Sequence, residues 1–508
     1  MTGPVEPVPE RRSGPRSPED SDHPVLVAGR ARRATIHAVR LRWVAVAVVV
    51  ATVVVVGVIG AVLPLSTASP APTTADAVVV PPAGAYSSSA FCPTGADNSN
   101  ATIYLTNSSS ATVDGVMTSI GQAGASGSVP TVHQAVSVPA RGTAAVDPKQ
   151  GLPAGDTATS FVFDGGGVVA DQVVSAGGSW STAPCATQTS PQWSFAGGST
   201  QTGNSLSLSL LNPSSTDAVV DVSFLTGAGR VTPQPYQGLV VPAGQLVVED
   251  LGSYVQSASA IATFVVAQSG TVVAGEFQQW SSGATGGLAL QLGAPALSDT
   301  WRFAQTTVAS TTSVDFTLAN PADAPVDTTV LVGLSSGRVV PQQVVVPPEA
   351  TQVFEASSSS GLPRSVPCSV TFESTGPLVV GRSVLATSAS SPPVWGASGG
   401  TVTAADDWVV PGPGVPDAPG VAGATVASLA LANPGPAAAR IRVAVLGTDR
   451  TVAVVTVGPG RVAVLGPTVV GGLDVLTVTA GAPVVVEEDS DPTGAPGVVS
   501  STGFPLAG

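Results

Sequence analysis

Carboxylates are the residues from which chemistry in this chain would have to come, because histidine is too scarce. After residue 63 there is one histidine, His133, so a metal site needing two or three imidazoles cannot be assembled. A Ser-His-Asp triad would have to use that same residue. Yet Val132-His133-Gln134-Ala135-Val136 reads as an alternating strand, with no Gly-x-Ser-x-Gly turn beside it. No phosphate loop or dinucleotide fingerprint follows a strand and opens a helix. The densest acidic groups are Glu487-Glu488-Asp489 with Asp491, and Asp406-Asp407. Paired carboxylates can cleave glycosides or hold calcium through hard oxygen ligands. Glu487, however, follows a valine run, at a point where earlier stretches place Asp171, Glu276 and Arg382. A position that accepts arginine reads as a solvated strand end. No catalytic, cofactor-binding or metal-binding residue is therefore expected.

Aromatic rings offer a second kind of surface, since exposed tryptophan stacks on sugar rings. Six of the seven tryptophans fall into two series, Trp193, Trp301, Trp408 and Trp180, Trp280, Trp395. The first series is spaced by 108 and 107 residues, with Phe91 in the corresponding place near the start. Such regular placement at boundaries favours packing within or between domains over ligand stacking. Cys92 and Cys185 fall at the two ends of one such unit. In an oxidising compartment a bridge between them would contribute ~4–5 kcal/mol on the chain-entropy model; the alternative is two unpaired thiols. Cys368 lies where the preceding unit has Ala260, and reads as a small buried core residue.

The elements that would position these residues are short strands. Asn107, Asn212, Asn320 and Asn433 each end an apolar alternating run, and they are 105, 108 and 113 residues apart. A proline-bearing strand recurs as Val136-Ser-Val-Pro139, Leu239-Val-Val-Pro242, Val344-Val-Val-Pro347 and Val455-Thr-Val-Gly-Pro459. About seven strands with turn signals in each ~100 residues indicate one sandwich per unit. Periods of that length mean an array of whole domains, each able to hold its own core. The expected fold is all-β: four tandem immunoglobulin-like β-sandwiches, over residues 86–187, 188–295, 296–403 and 404–508.

Before them, residues 1–42 read as a disordered cytoplasmic tail rich in Pro, Ser and charge. Residues 43–63 are uncharged and mostly Val and Ala. At ~1.5 Å per residue such a helix spans about 31 Å, one bilayer core. Five arginines from Arg30 to Arg42 precede it, which places the tail inside and the remainder outside. A cleaved signal peptide is the rival reading, with small-residue sites between Ala68 and Ala77, although the apolar run is longer than a signal core. Residues 64–85, rich in Pro, Ala and Thr, read as an extended linker. The part beyond residue 63 carries 11 basic against 28 acidic residues, a net charge of −17. Such a surface lacks the cations that phosphates need, so no nucleic-acid partner is expected.

The repeat resembles one found in exported bacterial, especially actinobacterial, proteins. There a Trp-x-Phe/Leu-Ala-Glu-Gly opening precedes a Leu-x-Asn-Pro strand, a Val-Pro-Ala-Gly hairpin and a closing Val-Ala-Glu-Arg strand. Trp193-Ser-Phe-Ala-Gly197, Leu211-Asn-Pro213, Val241-Pro-Ala-Gly244 and Val273-Ala-Gly-Glu276 match it. With its anchor, the whole chain is similar to a membrane-anchored actinobacterial family of unknown function (DUF5719-like). The glutamate after Ala196 is missing, and Trp408-Val-Val-Pro411 is a degenerate opening. The resemblance supplies no catalytic residues. The expected function is that of a non-enzymatic envelope protein in the cell membrane, binding a wall polysaccharide or an envelope partner through its tandem domains. The alternatives are a passive surface stalk or adhesin and, less favoured, a wall-polysaccharide enzyme.

Overall fold

A computed structural model describes residues 78–506, except 98, 124–126, 283–284, 338, 358–361, 388–391, 412–424, 471–474 and 493–498. The tail and the segment 43–63 expected to span a membrane lie outside the described residues. Among those residues, no helix is long and apolar enough to cross a membrane. The architecture is almost wholly β, which follows from chain-long alternation of Val, Leu, Ser and Thr with Gly and Pro punctuation.

The strands fall into four similar groups. The first comprises β1 (Ser88–Gly95), β2 (Asn100–Asn107), β3 (Val113–Gly121), β4 (Thr131–Val138), β5 (Thr143–Val146), β6 (Thr157–Phe163), β7 (Val168–Ala176) and β8 (Ser179–Pro184). They form two antiparallel sheets, ordered β1-β6-β3-β4 and β5-β2-β7-β8. The second comprises β9 (Gln192–Gly198), β10 (Asn204–Asn212), β11 (Ala218–Thr226), β12 (Gly229–Val231), β13 (Leu239–Val241), β14 (Gln245–Asp250), β15 (Ile261–Ser269), β16 (Val273–Ser282) and β17 (Thr285–Leu292). Its sheets run β9-β15-β11, flanked by β12 and β13, and β14-β10-β16-β17.

The third comprises β18 (Ser298–Thr306), β19 (Thr312–Asn320), β20 (Val326–Leu334), β21 (Gln342–Val346), β22 (Ala350–Glu355), β23 (Cys368–Ala386) and β24 (Val394–Gly399). The fourth comprises β25 (Ala405–Val410), β26 (Thr425–Asn433), β27 (Ala439–Val445), β28 (Thr451–Val457), β29 (Arg461–Leu465), β30 (Leu476–Pro492), β31 (Val499–Thr502) and β32 (Phe504–Pro505). Here β23 and β30 each do the work of two strands. The first part of β23 pairs with β18 and β20 and the second with β19 and β24; β30 divides likewise between β25, β27 and β26, β31.

Each group encloses an apolar core, and strands facing it alternate in and out: β11 and β27 bury every second residue at their starts. The groups are also joined. Gly286 and Gly287 of β17 pair in parallel with Val394 and Trp395 of β24, so the second sheets of two groups are continuous. The first strands β1, β9 and β18 pack on β16, β23 and β30 of the group that follows. Residues 78–82, expected as part of a linker, pack into this body instead. Val78 and Val80 are buried, Val80 bridges Leu506 in parallel, and the Gly167 N–H donates to the Pro81 carbonyl at 2.9 Å. The cause is the apolar run Val78-Val-Val80, which gains more from burial than from solvent.

Candidate functional site

Trp193, Trp301 and Trp408 occupy one position in β9, β18 and β25, and all three are buried. Each indole N–H donates to a carbonyl where the chain enters the second sheet: Trp193 to Val272 and Trp301 to Leu378 at 2.8 Å, Trp408 to Val484 at 3.2 Å. A buried ring with a satisfied N–H is a packing element and offers no face to a sugar. Backbone pairing corrects the place of Phe91. Phe91 exchanges hydrogen bonds with Ala186 as Ser194 does with Ala294 and Arg302 with Thr401. Phe91 therefore matches Ser194, and the buried Ala90 takes the position of Trp193. A shift of one residue moves a side chain to the other face.

Asn107, Asn212, Asn320 and Asn433 end β2, β10, β19 and β26, and all are buried. Asn212 shows the arrangement common to the four. Its amide donates to the Thr216 carbonyl at 2.8 Å and the Val241 carbonyl at 2.9 Å, and its oxygen accepts from the Ser214 N–H at 3.0 Å. Asn107, Asn320 and Asn433 donate in the same way to Ala111 and Val138, Ala324 and Val346, and Ala437 and Val457. Each asparagine closes its own turn and ties it to the proline-bearing strand of the other sheet.

Cys92 and Cys185 are joined by a disulfide, with Cα atoms 4.5 Å apart. Cys185 donates its N–H to the Ala170 carbonyl as Gly293 does to Ala274 and Gly503 to Val486. A Cβ built on Gly293 would fall 2.7 Å from Phe195 Cζ, and one on Gly400 would fall 2.8 Å from Phe303 Cζ. The half-cystines thus stand where later groups stack a phenylalanine on a glycine. Cys368 is buried, its Sγ lies 3.3 Å from the Thr306 carbonyl, and burial pushes its thiol up to about 12. A thiol so far from ionisation is no nucleophile.

The acidic and basic residues at the strand ends are buried, contrary to the solvated position expected. Asp171, Glu276, Arg382 and Glu487 are 7%, 3%, 2% and 3% exposed. They also occupy two registers. Leu105 pairs with Ala170, Leu210 with Ala274, Leu318 with Val380 and Leu431 with Val486. Asp171 and Glu487 come one residue after those partners, while Glu276 and Arg382 come two after. Glu487 reaches the preceding group, accepting from the N–H groups of Ala304 (2.6 Å) and Gln305 (3.0 Å) and pairing with Arg382. Arg382 also donates to the Gln305 carbonyl and the Ser398 hydroxyl, and its guanidinium lies 5.3 Å from the Phe303 ring centre. Nε of Arg382 is buried without a hydrogen-bond partner, and removing either member of such a buried pair is strongly destabilising. Asp171 accepts from the Thr182 hydroxyl at 2.6 Å. Burial raises both Asp171 and Glu276 to about 7, against the smaller opposing effects of the Thr182 and Thr263 hydroxyls.

Among the described residues, no three His, Cys, Asp or Glu side chains come together as a metal ion requires. His133 is exposed on β4, its Nδ1 3.0 Å from the Thr118 hydroxyl. A cavity of about 120 Å³ among β8, β17, β24 and β31 is lined by uncharged residues.

A larger cleft, about 290 Å³, lies between the second and third groups and gathers more varied chemistry. Its wall is the face of the third group's second sheet opposite the core. Ser313, Asp315 and Thr317 alternate along β19 toward it, while Val314, Phe316 and Leu318 turn into the core. Ser383 pairs with Asp315 from β23, and Leu385 pairs with Trp395 of β24. Trp280, on β16 of the second group, stacks on Trp395 with ring centres 4.9 Å apart and planes at 26°. Asp315 is half-buried, and its carboxyl is raised by burial and then by Glu355 opposite it on β22. An aromatic pair, a carboxylate and the hydroxyls of Ser259, Thr285, Ser313, Thr317 and Ser383 can hold a polar ring compound by stacking and hydrogen bonds. The regular spacing of the tryptophans marks the stack but not the opening beside it. The polar alternation Ser313-x-Asp315-x-Thr317 was the available signal.

Part of the chain is similar to a known family, one with no assigned activity. The profile of a family of unknown function (DUF5719) matches residues 167–358. No curated protein matches. The crystal structure of Thermotoga maritima 1070 aligns over 20% of this chain and 90% of its own, at 17% identity and a TM-score of 0.19. A tetra-tandem repeat from the extending region of a large adhesion protein aligns over 86% of this chain and 98% of its own, at 13% identity and a TM-score of 0.10.

Proposed function

We propose that this chain is a non-enzymatic envelope protein of the actinobacterial kind, anchored by residues 43–63, with four tandem immunoglobulin-like sandwiches outside the membrane that bind a cell-wall glycan. The observation that carries the reading is the cleft beside Trp280 and Trp395, where ring surface, hydroxyls and a carboxylate converge. The Cys92–Cys185 disulfide suits an oxidising compartment, and the arginines before Trp43 favour an inside tail. A passive stalk is less well supported. It would have no use for a cleft that gathers ring surface, hydroxyls and a carboxylate. Mild cross-linking on intact cells, followed by purification of the full chain, tests the reading. Recovery of covalently attached wall glycan is expected; recovery of cytoplasmic proteins alone would contradict it.

A further inference from the structure

We propose that the cleft beside Trp280 and Asp315 binds an amino sugar, a hexosamine unit carrying a free, protonated amine. This rests on the reading above, that the cleft is a glycan site, and names the sugar chemistry it selects.

Three kinds of group meet there, and each selects a different part of such a ligand. Trp280, the more exposed member of the tryptophan stack, offers ring surface to a pyranose and attracts a cation through the ring quadrupole. Ser313, Thr317 and Ser383 supply hydroxyls that both donate to and accept from a sugar's own. Asp315 supplies charge, and it is the one charged side chain among the described residues lining the cleft.

The position of that carboxylate decides between a neutral and a cationic sugar. Asp315 is withdrawn from water and faces Glu355 directly across the β19–β22 pair. Both circumstances disfavour its charge, so a neutral ligand that displaced the remaining water would leave it worse placed. An ammonium group brought against it offsets both costs at once. A simple alkylammonium would leave the hydroxyls unused. A hexosamine with a free amine engages all three kinds of group. The net charge of −17 beyond the anchor raises the local concentration of cationic sugars over neutral ones.

The test is calorimetric titration of the purified full chain with a tetramer of β-1,4-linked glucosamine, its N-acetylated counterpart and cellotetraose. The glucosamine tetramer should bind at least about ten-fold more tightly than the other two. Asp315→Asn keeps the shape of the side chain and should abolish that preference. Trp280→Phe should weaken all three tetramers together, and thermal melts of both variants show whether the fold is intact. Equal affinity for the three tetramers, or a preference unchanged in Asp315→Asn, would overturn the amino-sugar assignment while leaving a glycan cleft. Glucosamine binding insensitive to Trp280→Phe and Trp280→Ala would overturn the cleft as the site. Wall binding that persists through either failure would leave the envelope reading standing, so the two can fail separately.

Discussion

Phe195 lies so close over Gly293 that a methyl group on the glycine would come within 2.7 Å of the ring. The same two positions hold Cys92 and Cys185 in the first strand group, where a disulfide replaces the ring-on-glycine contact. Phe303 over Gly400 repeats the contact in the third group. In the fourth, a methyl on Gly503 would come within 3.3 Å of both Trp408 Cε3 and Val410 Cγ2. One joint between first and last strands is thus closed in alternative ways by one chain.

That equivalence predicts a transplant. Phe195→Cys combined with Gly293→Cys should oxidise to a second disulfide in the folded chain, read by mass spectrometry of non-reduced peptides. Gly293→Ala alone should destabilise by about 1–3 kcal/mol, the usual cost of overpacking. Two free thiols in the double variant would mean that the positions are not equivalent.

Trp301 buries its indole and donates to Leu378. Trp301→Ala should therefore lower stability by about 3–5 kcal/mol, with wall binding unchanged well below the melting temperature. A loss of binding without a shift in the thermal melt would show that this ring, and not Trp280, meets the ligand.

Asn212→Asp removes the amide donor from the carbonyls of Thr216 and Val241, the second of them buried, and buries a carboxylate in its place. A loss of about 2–4 kcal/mol is expected, measured as a lower urea midpoint. An unchanged midpoint would reduce the four asparagines to ordinary turn residues.

Glu276 and Asp171 are raised on folding to about 7 by burial. A carboxyl of this kind holds its proton more tightly folded than unfolded. Its contribution to stability is fully present below the ordinary carboxylate range near 4 and is lost as the pH rises through about 7. Melting temperature should accordingly fall between pH 5 and pH 8. Glu276→Gln should flatten that fall and stabilise at pH 8, by up to about 3 kcal/mol. Equal destabilisation by Glu276→Gln at both pH values would rule the account out.

The all-β architecture is legible in the sequence because strand alternation, strand-ending asparagine and regularly spaced tryptophan are local signals. The errors have a common cause. Residue resemblance alone misplaces Phe91, Glu276 and Arg382 by one position, and a period-two structure converts that shift into the opposite face. Burial of Arg382 and Glu487 was illegible for another reason: the partners are 105 residues apart, in different strand groups. Charge at a strand end looks solvated until its partner is placed. The cleft was hidden similarly, since Trp280 and Trp395 meet only where β17 and β24 join their sheets.

Co-sedimentation of the purified full chain with isolated cell walls, for the wild type, Trp280→Ala and Trp301→Ala at a temperature where all three are folded, tests the central claim most directly. The account predicts that the wild type and Trp301→Ala pellet alike, while Trp280→Ala binds at least about ten-fold more weakly. Wild-type protein left in the supernatant, or Trp280→Ala pelleting as fully as the wild type, would contradict it.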